Sequence, residues 1–229
     1  MEKCAFKESK AEISKSTDWV QSINEFYACG AKVRIDDIDS YEDDIGLSGL
    51  RIKFCHISNS SVYYHREVFP NGYDNNFWGD WSNWTDCTNG SYIAGISAKT
   101  YSNNGGPFPD KDDTGLEGLA ILCKPKTCPP TAIVNPPLPG NNSYSLSGYN
   151  YETKLVGEVP GGLGTWGNWT IAGTGKYIDA AQAIYTYYLG LYDDRALTCI
   201  RAGVNEYYCW VNLFIQTFHF SFYLFLIKF

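Results

Sequence analysis

Asp112-Asp113-Thr114-Gly115-Leu116-Glu117-Gly118-Leu119-Ala120-Ile121-Leu122-Cys123 occurs three times in the chain in recognisable form. The earlier copy is Asp43-Asp44-Ile45-Gly46-Leu47-Ser48-Gly49-Leu50-Arg51-Ile52-Lys53-Phe54-Cys55, and a weaker later one begins Asp193-Asp194-Arg195-Ala196-Leu197-Thr198-Cys199. Trp19, Trp84 and Trp169 precede the three Asp pairs by 24, 28 and 24 residues. The longer middle interval contains the turn-rich Asn104-Gly105-Gly106-Pro107-Phe108-Pro109, the kind of site where insertions are tolerated. Copies two and three align without gaps from Trp81-Ser82-Asn83-Trp84-Thr85 over Trp166-Gly167-Asn168-Trp169-Thr170 to Gly90-Ser91-Tyr92-Ile93 over Gly175-Lys176-Tyr177-Ile178. At the Trp end of the first copy only Trp19, Tyr27 and Gly30 align, with Trp84, Tyr92 and Gly95.

Each unit reads as two strands joined by an acidic turn. Leu50-Arg51-Ile52-Lys53-Phe54 alternates apolar with basic residues, the period of a sheet with one buried face, and Tyr92 to Tyr101 is rich in strand formers. An Asp pair just before a strand suits a turn whose carboxylates accept hydrogen bonds from backbone N–H groups. The rival reading is a ring of paired carboxylates for acid/base work on sugars, which needs two of them facing one cleft. Repeats of this type cannot bury a core singly, so one domain is expected over 16–204, with units at 16–55, 78–123 and 166–204. Segments 1–15 and 205–229 stand outside the repeat.

The formal charge of −7 supplies no electrostatic footprint for nucleic acid, and no basic cluster is evident in the sequence. Glycans bound by such a surface are therefore expected to be neutral or basic. Eight cysteines without a Cys-x-x-Cys pair point to a disulfide framework and an oxidising compartment. Glycosylation acceptor patterns at Asn59, Asn83, Asn89, Asn141 and Asn168 agree. Met1 to Lys15 lacks the apolar stretch of a secretory signal, so a truncated or misassembled amino terminus is expected. A proline-rich linker, 124–142, reads as a surface excursion. The aromatic tail is broken by Asn212, Gln216, Thr217, His219 and Ser221; a closing strand or an extraneous extension fits it better than a membrane anchor. His56, His65 and His219 have no metal-ligand spacing and no nucleophile elbow nearby, so no metal, no cofactor and no catalytic residue is assigned.

Trp78-Gly79-Asp80-Trp81, then Cys87, Gly90 and Gly95, then the stretch from Asp112 to Cys123, resemble the vitelline membrane outer layer protein family. The resemblance implies an all-β fold, a β-prism of three Greek-key sheets with a pseudo-threefold repeat. It also implies a secreted component of an extracellular coat, with coat or matrix proteins and glycans as partners. Two alternatives stand beside that structural role: a carbohydrate-binding module, and an enzyme acting on chito-oligosaccharides. Trp19, Trp84 and Trp169, recurring at one repeat position, read as core. Trp78, Asp80, Trp81 and Trp166 lie in turn-rich entries and are the candidates for a sugar-binding platform. Cys87 and Cys123 bracket the two strands of the best-preserved unit, so antiparallel pairing is expected to bring them together as a disulfide, and by the same logic Cys29 with Cys55. Partners for Cys4, Cys128, Cys199 and Cys209 stay open.

Overall fold

A computed structural model of the chain describes residues 2–4, 13–35, 46–68, 79–101, 115–126, 133, 136, 139, 150–162, 164–187 and 195–206. In chain order its strands are β1 (Glu2–Cys4), β2 (Ile13–Ser16), β3 (Val20–Gln21), β4 (Phe26–Ile35), β5 (Leu47–His56), β6 (Tyr63–Val68), β7 (Asp80–Trp81) and β8 (Thr85–Asp86). They continue as β9 (Ser91–Tyr101), β10 (Gly115–Pro125), β11 (Glu152–Glu158), β12 (Thr165–Trp166), β13 (Thr170–Ile171), β14 (Lys176–Tyr187) and β15 (Arg195–Glu206).

These strands make three five-stranded antiparallel sheets, each built on one long hairpin: β4–β5, β9–β10 and β14–β15. In the first sheet β6 flanks β5, while the interrupted pair β7 and β8 returns to lie beside β4. The second sheet repeats this with β11, β12 and β13. Three consecutive strands and a fourth that returns beside the first is the Greek-key order, and the expected β-prism is the observed fold.

The third sheet has the same arrangement, but its outer strands are β1, β2 and β3. The start of the chain thus completes the sheet formed by its last described strands, with Cys4 opposite Cys199 and Ser16 opposite Ile184.

Every Trp-bearing entry pairs with the sheet before its own hairpin. Cys87 N–H donates to the Cys29 carbonyl, Ala172 N–H to Ala94 and Ser22 N–H to Asp179, each at 2.7–2.8 Å. These are the same bond made three times in a cycle. Side chains reinforce two copies: Val33 N–H donates to the Ser82 hydroxyl and Ala183 N–H to the Thr17 hydroxyl, where the interrupted strand leaves the ladder. Those hydroxyls satisfy backbone donors that burial would otherwise leave costly.

Strand alternation sends one face of each hairpin inward. Val33, Leu50 and Ile52 of the first sheet meet Ile96, Leu119 and Ile121 of the second and Ala183, Leu197 and Ile200 of the third in one buried cluster. Fully burying a side chain of the Leu or Ile type stabilises by about 1.5–3 kcal/mol. Tyr185 is buried there too, and its hydroxyl donates to the Val68 carbonyl at 3.0 Å. At one end Tyr27, Tyr92 and Tyr177, which align in the repeat, close a triangle with ring centroids 6.0–6.4 Å apart in edge-on contact. Three equivalent rings meeting in this way mark the pseudo-threefold axis.

Candidate functional site on the outer face of one sheet

The residues of the sequence-derived platform separate. Trp78 lies outside the described residues, and Asp80 is exposed on β7 opposite Ile35. Trp81 and Trp166 occupy equivalent places on the first and second sheets and are half-buried. Each indole lies across the hairpin onto a glycine: Cη2 of Trp81 is 3.0 Å from where a β-carbon on Gly49 would be, and Cη2 of Trp166 is 3.1 Å from the same point on Gly118. Those glycines are needed for close approach, and the rings have a packing role. On the third sheet Ser16 stands at the indole position, and the glycine is replaced by Cys199, which is disulfide-bonded.

The other recurrent tryptophans correct the expectation of core burial. Trp19 is 49% exposed, and Trp84 and Trp169 are half-buried. They sit in the break of each interrupted strand, at the rim of a sheet, and Trp169 packs from there against the buried cluster of Tyr27 and Tyr92.

The expected absence of a basic cluster is also corrected. On β4 and β5 the residues that alternate outward include Lys32 and Arg34 on one strand and Arg51 and Lys53 on the other, with Lys32 directly opposite Arg51. β6 adds Glu67 opposite Arg51 and His65 opposite Lys53. β7 brings Trp81 opposite Arg34, and β8 brings Asp86 opposite Gly30. The Arg51 guanidinium lies 4.2 Å from the Trp81 ring centre and donates to Glu67 Oε2 through Nε and Nη2 at 3.0 and 2.8 Å. Lys32 Nζ is 5.1 Å from Trp81 and 5.3 Å from Trp84. Lys53 Nζ pairs with Asp86 at 2.7 Å, and lies 5.5 Å from Trp84 and 4.3 Å from the exposed Tyr63. Arg34 Nε donates to the Gly79 carbonyl at 2.7 Å. Burial, then the neighbouring Arg51 charge, lowers the Lys32 pKa, while Glu67 pulls the other way.

The matching face of the second sheet is different in kind. Ser97, Ala120 and Leu122 stand in place of Lys32, Arg51 and Lys53, and all three are buried. At its edge Lys99, almost buried, donates to Glu158 Oε1 at 2.5 Å and to the Gly162 carbonyl at 2.7 Å, with Glu117 Oε2 at 3.8 Å. Glu117 in turn accepts from Gly164 N–H at 2.6 Å. Its carboxylate lies 2.6 and 2.7 Å from where β-carbons on Gly162 and Gly164 would be. This ion cluster holds the turn after β11 and explains its glycines.

Cys29 is bonded to Cys55, and Cys87 to Cys123. The second bond does more than the sequence argument expected. Cys87 directly follows β8 of the first sheet whereas Cys123 lies on β10 of the second, so the bridge joins two sheets and not the ends of one hairpin. Asn59, Asn83, Asn89 and Asn168 are exposed. Asn59 Oδ1 accepts from Ser61 N–H at 3.0 Å, and Asn89 Oδ1 accepts from the Ser60 hydroxyl. Asn141, the six paired aspartates, Cys128, Cys209 and the tail from 207 lie outside the described residues.

Residues 70–136 match the model of a family described as Vitelline membrane outer layer protein I. No curated protein matches the chain. The matched span contains both motifs that carry the resemblance, the Trp78 to Trp81 entry and the stretch from Asp112 to Cys123.

Proposed function

We propose that this chain, whose central segment is of the vitelline membrane outer layer protein family, is a secreted structural and interaction protein of an extracellular coat. The observation that supports this reading most is the Cys87–Cys123 bond across two sheets of a closed prism. A cross-link of that kind persists in oxidising surroundings and limits opening of the fold. Fractionating the source coat tests the reading. The protein is expected to stay with the insoluble coat through low-salt washing, to leave it in denaturant, and to migrate faster on gels run without reductant. Recovery of all the protein in the soluble fluid would overturn it.

A second reading, a carbohydrate-binding module, is favoured by the ordered cations and indoles on the first sheet. Their arrangement fits recognition through charge and hydrogen bonding more than an open stacking platform, since Trp81 is already covered by Arg51.

A further inference from the structure

The four cations on the outer face of β4 and β5 are fixed before any ligand arrives. Arg51 is held by Glu67 and the Trp81 ring, Arg34 by the Gly79 carbonyl, Lys53 by Asp86, and Lys32 lies between two indoles. Side chains already ordered lose little freedom on binding, which is the main cost that flexible surface lysines carry into a complex. Neighbouring strands are about 4.8 Å apart and alternate residues along a strand about 6.6 Å apart. Lys53 lies opposite Gly30, Lys32 opposite Arg51 and Arg34 opposite Gly49, so the four cations form a staggered array over three rungs of the hairpin, with Lys32 and Arg51 at its centre.

The array is short of negative charge at its centre. Lys32 and Arg51 face each other across the strands. Among the described residues Arg51 and Lys53 have carboxylate partners, whereas no ion pair joins Lys32 to one. An anion seated between Lys32 and Arg51 would relieve that repulsion and accept from both.

We propose that this face is a binding site for an acidic glycan, one bearing sulfate or uronate groups spaced along its chain. The choice of a glycan over a nucleic acid rests on the extracellular reading above. Sulfate and carboxylate suit the bidentate donors of Arg51 and Arg34 and the point charges of Lys32 and Lys53. The site belongs to the first sheet alone, because Ser97, Ala120 and Leu122 replace three of the four cations on the second, and Gln182, Ile184 and Gly203 replace three on the third.

The test uses the full-length oxidised protein, titrated at low salt with heparin, with hyaluronate, with a neutral chito-oligosaccharide and with a single-stranded oligonucleotide. Lys32→Glu and Lys53→Glu are compared with Lys176→Glu, which makes the same charge change away from this face. Tight, salt-sensitive binding of heparin is expected, weakened about tenfold or more by either face variant and by less than about twofold in the control. Weaker binding of hyaluronate would assign the affinity chiefly to sulfate, and equal binding to the carboxylate the two polymers share; both support the site. No binding of either acidic glycan overturns it. Equal loss in Lys176→Glu, or tighter binding of the oligonucleotide, overturns it as well. Each of these results is independent of coat fractionation, so either idea can fail alone.

Discussion

Trp81 and Gly49 touch across two strands of the first sheet, the indole edge 3.0 Å from the point a β-carbon would occupy. Any side chain at Gly49 must displace that ring, and the ring carries the Arg51 guanidinium with it. Gly49→Val is therefore expected to destabilise by about 1–3 kcal/mol, the usual cost of overpacking. Gly118→Val, beneath Trp166, should behave alike. Denaturant unfolding midpoints measure both, and unchanged midpoints would show that the indoles do not pack as described.

Loss of the bridge between sheets should weaken the whole molecule. Cys87 and Cys123 are 36 residues apart, and in the chain-entropy model closing such a loop stabilises by about 4 kcal/mol. A double Cys87→Ala/Cys123→Ala variant is expected to lose about 2–4 kcal/mol. Hydrogen exchange should speed up in both β8 and β10, strands of different sheets. Faster exchange confined to β9 and β10 would mean that the bond serves one hairpin only.

The tyrosine triangle should be sensitive to truncation. Tyr27 and Tyr92 are each 2% exposed and touch each other and Tyr177. Replacing either buried ring by Ala is expected to cost about 3–5 kcal/mol, the range for large aromatics in a core. Calorimetry of Tyr27→Ala and Tyr92→Ala checks this, and a loss below about 1 kcal/mol in both would argue against a packed axis.

A titration should be visible beside that triangle. Lys126 Nζ lies 3.8 Å from the Tyr27 ring centre and donates to the Ile57 carbonyl at 2.7 Å, and burial pushes its pKa down to about 8. Below that pH the lysine is charged in folded and unfolded chains alike, and the folded state bears the whole desolvation cost. As pH rises from about 8 towards 10.5 the folded chain loses its proton first, the unfolded chain binds more protons, and stability increases. The expected result is a Lys126 side-chain NMR titration with a midpoint near 8, absent in Lys126→Met. A midpoint near 10.5 would place the amine in solvent.

Much of the architecture can be read from the repeat. The alignment that pairs Tyr27, Tyr92 and Tyr177 finds the axis, and the alternation of Arg51 and Lys53 with Leu50, Ile52 and Phe54 finds an outward face. The basic array stays hidden because Lys32 and Arg51 are neighbours only through strand register, and charge counted along the chain averages them against distant acids. Burial of Trp19, Trp84 and Trp169 is misjudged for a related reason. Recurrence identifies an equivalent position, but the position is a break in a rim strand, and no local pattern distinguishes that from a core site. The exchange of each entry onto the preceding sheet is likewise tertiary, since β7 and β8 carry nothing in their own sequence that selects β4.

The third sheet needs β1, β2 and β3 from the first residues and β14 and β15 from the last strands. During synthesis β1, β2 and β3 must wait, edges unpaired, until β14 and β15 have emerged. Such long-range closure makes folding slow and leaves a period in which those edges can pair elsewhere. Where nascent chains are crowded, the opening strands of one molecule can complete the third sheet of another, giving strand-swapped dimers held by the contacts of the monomer.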